Sequence, residues 1–186
     1  MMLNTILQFL LDVFVQGYAG LLLLRFLLQW LRAPMRNPAG ETVMSLTNWI
    51  VLPARRYIPS AGQLDSATLL LAVLCEMLYL AALLSLQGYP HTLPGLFVWS
   101  GVKLLIMSVY FLMGALLMQA VLSWVNPYTP IAPLLHAMTQ RFLRPLRNFV
   151  PLLGNIDLAP LLLLVICQLL LLAPLALLES WALRLL

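Results

Sequence analysis

Asp12, Arg25, Glu76 and Lys103 are ionisable side chains that stand inside long, mainly apolar stretches of the chain. An ionised group is costly to bury in hydrocarbon, so such residues either pair with one another or mark a path for ions or protons. At about 1.5 Å per helical residue, Asp12 and Lys103 lie at similar depths in two different stretches. The sequence therefore predicts that these two side chains pair and join two helices, with a role in transport as the alternative.

The other two charges raise different expectations. Glu76 stands near the middle of its apolar stretch, where a lone carboxylate needs a partner, a proton or a cation. Arg25 stands closer to the end of its stretch, so its long side chain is expected to reach outward to the polar boundary. Glu76 is therefore the residue that a transport function would use.

The residue patterns of enzymes are missing from the chain. Its histidines, cysteines and acidic residues form no cluster with metal-ligand spacing. It contains no phosphate loop, dinucleotide fingerprint or nucleophile elbow. Cys75 and Cys167 lie in apolar stretches and are expected to be small buried thiols rather than a disulfide. We therefore expect no enzymatic activity, cofactor, metal or nucleic-acid partner.

One sequence motif occurs twice, 92 positions apart, and each copy precedes a long apolar stretch. The copies PARRYIPSAGQLD and PLRNFVPLLGNID share five identical residues at the same spacing. These residues are Pro53, Arg55, Pro59, Gly62 and Asp65 in the first copy, and Pro145, Arg147, Pro151, Gly154 and Asp157 in the second. The prolines are expected to kink or end a helix and the glycine to turn the chain. The aspartate is expected to cap the next helix, to pair with the arginine, or both, so the motif predicts a structural joint.

The composition requires a lipid environment. Of 186 residues, 63% are hydrophobic and only 9% are charged, whereas soluble domains carry roughly 25% charged residues. Four stretches reach the length of about 20 residues with which a helix spans a bilayer. They are Leu3–Leu31, Leu64–Leu86, Leu96–Trp124 and Leu158–Leu183. The predicted fold is an all-α membrane protein with four transmembrane helices.

Basic residues cluster in two long connections between these stretches. Residues 32–63 and 125–157 carry seven arginines, whereas the short turn at residues 87–95 carries neither Arg nor Lys. Because cytoplasmic loops are enriched in Lys and Arg, the long connections are predicted to be cytoplasmic and both termini periplasmic. Two spans per unit give two parallel tandem repeats, residues 1–92 and 93–186, related by a pseudo-two-fold axis along the membrane normal.

Each long connection also has the pattern of an amphipathic helix. Over Ile131–Val150, one side of a helical wheel is apolar and the other carries Arg141, Arg144 and Arg147. Glu41–Ile58 shows a weaker version of this pattern. Such helices lie in the membrane interface, where arginines attract anionic lipid headgroups.

The second half carries a more specific signature. It comprises SWVNP with Ser123, Trp124, Asn126 and Pro127, then LRPLR with Arg144, then PLLGNIDLAP ending at Pro160. On these residues the chain resembles the YggT (YlmG-like) family of small bacterial and plastid membrane proteins, and the first half matches as a degenerate copy. The resemblance implies an integral inner-membrane protein without established enzymatic activity. It also implies links to osmotic tolerance and potassium uptake, to cell division, and to cytochrome assembly in plastids.

Two functions remain open at this point. The first is a non-enzymatic scaffold or assembly and stress-tolerance factor, whose basic segments bind anionic lipid headgroups and either a membrane-protein partner or further copies of the chain. The alternative is an oligomeric small ion channel or transport component that uses Glu76. The repeated basic segments favour the first function, and the intramembrane carboxyl group favours the second.

Overall fold

The computed structural model describes residues 2–58, 64–126, 128–149 and 157–186, which are almost entirely helical. Six helices follow one another in this described part of the chain. They are α1 (Met2–Trp30), α2 (Pro38–Tyr57), α3 (Ser66–Gln87), α4 (Leu93–Val125), α5 (Ala132–Phe149) and α6 (Ala159–Leu183). Helices α1, α3, α4 and α6 are long and apolar enough to cross a membrane. The predicted all-α fold with four transmembrane helices is confirmed, while the division into units at residue 92 stays a prediction.

Local sequence explains where several helices begin and end. The side chain of Asn37 caps α2 by accepting a hydrogen bond from Gly40 N at 2.9 Å. Thr92 caps α4 in the same way, accepting from Gly95 N at 3.1 Å. These side chains satisfy N–H groups that a first helical turn leaves unpaired. At the other end of α3, Gly88 adopts a φ of 75°, which glycine reaches at little cost and which closes the helix.

Helix α1 closes with the same geometry but without a glycine. Arg32 has a φ of 53° and donates its backbone N–H to Gln29 O at 3.1 Å. Ala33 donates to Leu28 O at 2.8 Å, and these two residues also share a core cluster. This pair of bonds is a Schellman motif, which usually has glycine at the left-handed position. An arginine there costs about 1–2 kcal/mol of backbone strain.

Two of the prolines that lie inside helices belong to the repeated motif. Helix α2 continues past Pro53 to Tyr57, and α5 continues past Pro145 to Phe149. These two prolines therefore do not end their helices, which leaves a kink as the alternative that was predicted for Pro145. A proline removes one N–H and crowds the preceding turn, which bends a helix but need not stop it when contacts hold both sides. Arg55 and Arg147, two residues beyond each proline, supply such contacts through ion pairs.

The spanning helices form a bundle with one open seam. Helix α1 packs against α3 and α4, α3 packs against α4, and α4 packs against α6. Within the described residues, no Cα atom of α1 lies within 8 Å of a Cα atom of α6. In the two repeats, α4 corresponds to α1 and α6 corresponds to α3. Under a strict two-fold relation, the contact between α3 and α4 would therefore recur between α6 and α1. The two halves are therefore built from equivalent elements that pack differently.

Most side chains of the spanning helices face away from the protein. Only 17–28% of the residues in the most apolar window of each helix are buried within the fold. Leucines such as Leu74, Leu117 and Leu172 are at least half exposed. Leaving apolar surface in water costs about 25 cal/mol per Å², so lipid must cover these sides. The chain is therefore a multi-pass membrane protein.

Helix α5 rests on one end of the bundle, which we call the arginine-rich end because both long connections meet there. Leu134, Leu135 and Met138 on its apolar side pack in one cluster with Leu28 of α1 and Ala115 of α4. The arginines on its opposite side are exposed. This part of the apolar side thus contacts protein rather than lipid, which differs from the expectation of a helix whose whole apolar side lies in the interface.

Candidate functional site

The first copy of the repeated motif joins α2 to the start of α3. Arg55 Nη2 lies 2.5 Å from Asp65 Oδ2, and Arg55 Nε donates to Oδ1 at 3.4 Å. The same carboxylate caps α3, since Oδ1 accepts from Thr68 N at 3.4 Å and Oδ2 accepts from the Thr68 hydroxyl. Both roles predicted for Asp65, the helix cap and the ion pair, are therefore confirmed.

A third helix enters this joint through Gln29 of α1. With its amide oxygen facing Arg55, Gln29 accepts from Arg55 Nη2 at 3.2 Å and donates to Asp65 Oδ2 at 2.8 Å. Gln29 stands outside the repeated motif, so the sequence pattern did not reveal it. The joint ties α1, α2 and α3 together at the arginine-rich end.

The joint also sets the protonation of Asp65. Burial raises the pKa of this carboxyl, but the hydrogen bonds from Arg55 and Thr68 outweigh burial and hold the pKa below its ordinary value of 3.8. The folded protein therefore binds this proton less readily than the unfolded chain does. The resulting stabilisation is present above the ordinary pKa and is lost as the pH falls through the lowered value.

The second copy of the motif forms the same ion pair in a more open setting. Arg147 Nη2 lies 2.8 Å from Asp157 Oδ2, and Nε donates to that oxygen at 2.9 Å. The two side chains are 42% and 32% exposed, against 39% and 8% in the first copy. Asp157 precedes the N-cap residue of α6, Leu158, and accepts from Ala159 N at 3.0 Å. The ion pair is confirmed, whereas the predicted cap at Asp157 is wrong by one residue.

The structure does not describe the remaining four positions of the motif. Pro59, Gly62, Pro151 and Gly154 lie outside the described residues, as does Pro127 of the SWVNP segment. The turn expected at the two glycines stays a prediction.

The other signature residues of the second half lie at the end of α4 and the start of α6. The Ser123 hydroxyl donates to a carbonyl one turn earlier at 2.7 Å, and the side chain of Trp124 is 92% exposed. Asn126 is the C-cap of α4, and its Oδ1 accepts from Tyr128 N at 3.1 Å. Pro160 occupies the first turn of α6. Trp124 therefore presents a large aromatic surface at the arginine-rich end.

Arg25 is held inside the protein rather than at the boundary. Its side chain is only 1% exposed, so the expectation that it reaches outward is wrong. Arg25 Nη1 donates to Thr47 Oγ1 at 2.7 Å and to Asn48 Oδ1 at 2.9 Å. Helix α2 covers this position and brings two oxygen acceptors to the guanidinium, while Nε has no partner among the described residues. Arg25 thus locks α2 onto α1.

The second half has an equivalent hydrogen bond between two neutral side chains. Thr139 of α5 is fully buried and donates its hydroxyl to Gln119 Oε1 of α4 at 2.7 Å. Thr139 corresponds to Thr47 in the repeat, and Gln119 stands five residues before Trp124, as Arg25 stands before Trp30. The repeated threonines were a signal in the sequence, but their partners were not recognisable without the fold.

Asp12 and Lys103 contact different partners within the membrane. Tyr79 of α3 donates its hydroxyl to Asp12 Oδ1 at 2.8 Å. Lys103 Nζ lies 2.6 Å from Glu179 Oε1 of α6, which also accepts from Trp99 Nε1 at 3.3 Å. The predicted Asp12–Lys103 pair is therefore wrong. At this level α3 supplies the neighbour of α1 and α6 supplies the neighbour of α4, so each charge meets a nearer group.

Asp12 lies where helix α1 departs from regular α-helical geometry. The segment Leu11–Gln16 is π-helical, and Gly17 N bonds to Asp12 O five residues back. Single π-helical turns are frequent at functional sites. Asp12 also lines a cavity of about 450 Å³ between α1 and α4. The carboxylate therefore has open space on one side and the Tyr79 hydroxyl on the other.

Glu76 is a buried carboxyl group that no neighbouring side chain satisfies. It is 0% exposed, and neither carboxyl oxygen has a hydrogen-bond partner among the described residues. It lies one turn before Tyr79 on α3 and within electrostatic range of Lys103. An unpartnered carboxyl in a dry interior needs a proton or a cation. No set of three or more His, Cys, Asp or Glu side chains in the described ranges is suited to a metal ion.

Comparison with known proteins assigns the chain to a family. A family model described as CCB3/YggT matches residues 4–86 and 98–178. The chain is 35% identical to an uncharacterised protein of Pseudomonas aeruginosa over 165 residues, which cover 86% of this chain and 83% of that protein. It is 33% identical to the uncharacterised protein YggT of Escherichia coli over 166 residues, covering 88% and 86%. No solved structure matches the chain. The protein therefore belongs to the CCB3/YggT family.

Proposed function

We propose that the protein is a non-enzymatic scaffold of the bacterial inner membrane. It would present a rigid arginine surface to membrane-protein partners and to anionic lipid headgroups. Five exposed arginines carry the proposal: Arg32, Arg36, Arg56, Arg141 and Arg144. None of them forms an ion pair among the described residues, whereas Arg55 and Arg147 do. The motif arginines thus hold the helices in place, and these five remain free for external anions.

The arrangement of the helices supports a binding surface. Helices α2 and α5 are fixed to the bundle by the buried threonines and by the two ion pairs. A rigid surface loses little conformational entropy when it binds, which favours affinity. Excess arginine at one end also favours a cytoplasmic location for that end, with both termini in the periplasm.

Affinity purification from native membranes tests the scaffold function. The double variant Arg56→Glu/Arg144→Glu reverses two exposed charges without touching either ion pair. We expect it to lose the proteins that co-purify with the wild type, because like charges then face an acidic partner. Arg184→Glu, which reverses an exposed charge at the opposite end of the bundle, serves as the matched control. A double variant that kept every partner would overturn the proposal.

The proposed orientation has a separate test. Tyr89 in the turn between α3 and α4 is 61% exposed, and Arg144 is exposed on α5. With both native cysteines replaced by serine, Tyr89→Cys should react with an impermeant thiol reagent in intact spheroplasts, and Arg144→Cys should react only after lysis. The opposite pattern would invert the orientation.

One observation favours a second candidate function. The two carboxyl oxygens of Glu76, which have no hydrogen-bond partner in the described part of the chain, lie in the same region of the bundle as the Asp12–Tyr79 contact and the Lys103–Glu179 pair. A group of ionisable side chains inside a membrane protein is typical of a path for protons or cations. We infer that Glu76 would be the central proton- or cation-binding group if the protein transports ions.

Flux through reconstituted liposomes separates the two candidates. Glu76→Gln keeps the size of the side chain and removes its titratable proton. If Glu76 is the transport group, proton or potassium flux should fall to the level of empty liposomes, while Glu41→Gln on the surface of α2 should have no effect. Wild-type protein without flux above empty liposomes would rule out the transport function and leave the scaffold function unaffected.

A further inference from the structure

The open seam between α1 and α6 contains an apolar groove. Its volume is about 380 Å³, which falls within the range of about 300–1,000 Å³ found for ligand sites. Side chains from α1, α4, α5 and α6 line it, among them Leu27, Leu112, Phe142 and Leu163. The groove exists because α6 does not pack against α1, although the equivalent helices α3 and α4 pack together.

The dimensions of the groove restrict what it can hold. Its lining on α6 runs from Leu163 to Leu175, which is about 18 Å at 1.5 Å per residue. One leaflet contributes roughly 15 Å, half of the hydrocarbon core. Volume and length together give a cross-section of about 20 Å². A helix with its side chains is about 10–12 Å wide, so the groove is too narrow for a helix and suits a single hydrocarbon chain.

A cation stands at the arginine-rich end of the groove. Trp30 lines the groove, and the guanidinium carbon of Arg141 lies 4.7 Å from the centre of its ring. Stacking on an aromatic ring uses the flat face of a guanidinium and leaves its in-plane N–H groups free to bind phosphate oxygens. The side chain of Arg141 is also exposed. A charged headgroup site therefore adjoins an apolar slot about one leaflet deep.

We propose that this groove binds one acyl chain of an anionic phospholipid, with the phosphate held by Arg141. The hydrocarbon chain fills the seam that the duplication left open, and Trp30 separates the apolar slot from the headgroup. The lipid then completes the packing between α1 and α6. Arg141 is also one of the five exposed arginines of the scaffold surface, and its contact with Trp30 gives it this additional role at the groove.

Native mass spectrometry of the purified full chain tests the headgroup contact. Phosphatidylglycerol and phosphatidylethanolamine are supplied in equal amounts, and the ratio of the two bound lipids is measured. We expect one retained phosphatidylglycerol for the wild type. Arg141→Gln should lower the preference about tenfold, in line with the loss of one charge-assisted contact. Arg184→Gln, an exposed charge at the opposite end of the bundle that belongs to neither the groove nor the arginine surface, should leave it unchanged. An unchanged ratio for Arg141→Gln, or an equal loss for both variants, would overturn the proposal.

A second variant tests the apolar slot. Ile166 lines the groove from α6, and Ile166→Trp should displace the acyl chain whatever its headgroup. Circular dichroism and the unfolding transition show whether this variant folds, and Arg141→Gln tests the site independently if it does not. Retention of lipid by folded Ile166→Trp, or a lipid-free wild type that dimerises through the seam, would contradict the proposal. These readouts measure lipid alone, so their failure is distinguishable from a failure of the scaffold function.

Discussion

Replacing Arg55 by methionine removes the guanidinium from the joint between α1, α2 and α3 and keeps most of the side-chain stem. The Asp65 carboxylate, whose side chain is only 8% exposed, then retains the hydrogen bonds from Thr68 and Gln29. It loses its only ion-pair partner among the described residues. A buried charge without its partner is costly, since little water can reach it.

The expected magnitude follows from the bonds that are lost. Arg55 makes two hydrogen bonds to Asp65, at 2.5 Å and 3.4 Å, and a hydrogen bond to a charged group contributes about 1.5–3 kcal/mol. Because Arg55 is 39% exposed, water screens the pair and reduces the sum. We expect Arg55→Met to lower the free energy of unfolding by about 2 kcal/mol. The equivalent Arg147→Met should cost less than about 1 kcal/mol, because both members of that pair are open to solvent.

Reversible unfolding in mixed micelles, with SDS as the denaturant and helix content as the signal, measures both variants. Arg56→Met is the control, since Arg56 is exposed and forms no ion pair among the described residues. The two repeats thus provide the same chemical substitution at two levels of burial. Equal losses at Arg55 and Arg147, or a larger loss at Arg147, would refute the reasoning that burial of the aspartate decides the strength of the joint.

Three further predictions follow from individual positions. A Cβ on Gly95 would lie 2.5 Å from Leu185 O. Gly95→Ala should therefore destabilise the contact between α4 and the end of α6 by about 1–3 kcal/mol. Gly101→Ala is the control and should not destabilise the protein, because a Cβ there meets nothing within 4 Å. Arg32→Gly should raise the free energy of unfolding by about 1 kcal/mol, because glycine adopts the left-handed backbone at φ 53° without strain. Arg32→Ala is the control and should not raise it. The stability difference between wild type and Asp65→Asn should be largest above about pH 5 and should shrink as the pH falls below about 4, since the folded pKa of Asp65 lies below its ordinary value. SDS unfolding at each pH measures this difference, and one that stayed constant down to pH 3 would contradict it.

Part of the candidate site was readable from the repeat. The spacing of Arg55 and Asp65, reproduced by Arg147 and Asp157, predicted two ion pairs, and both are present. This succeeded because each pair links a helix to the residue just before the next one, which is a short-range contact along the chain. The burial that distinguishes the two copies was not visible in the motif, because it depends on Gln29 and α1, which lie far from the motif in sequence.

Contacts between distant helices were not readable. Asp12 and Lys103 stand at similar depth, yet Asp12 contacts Tyr79 and Lys103 contacts Glu179. Depth along a helix follows from counting residues, but the side chain that faces a charge depends on which helices are neighbours and on their rotation. Arg25 illustrates the same limit: its position favoured an outward side chain, and the covering helix α2 buried it.

The sequence by itself determined four membrane-spanning helices, the helix cap at Asp65 and the duplicated joint, because hydrophobic length, capping residues and repeat spacing are local properties of the chain. Only the tertiary structure decided that α3 packs against α4 while α6 leaves α1 exposed. That difference cannot be read from two similar repeats, because each helix–helix contact depends on how the side chains of both helices fit together. It opens the groove beside Trp30 and Arg141.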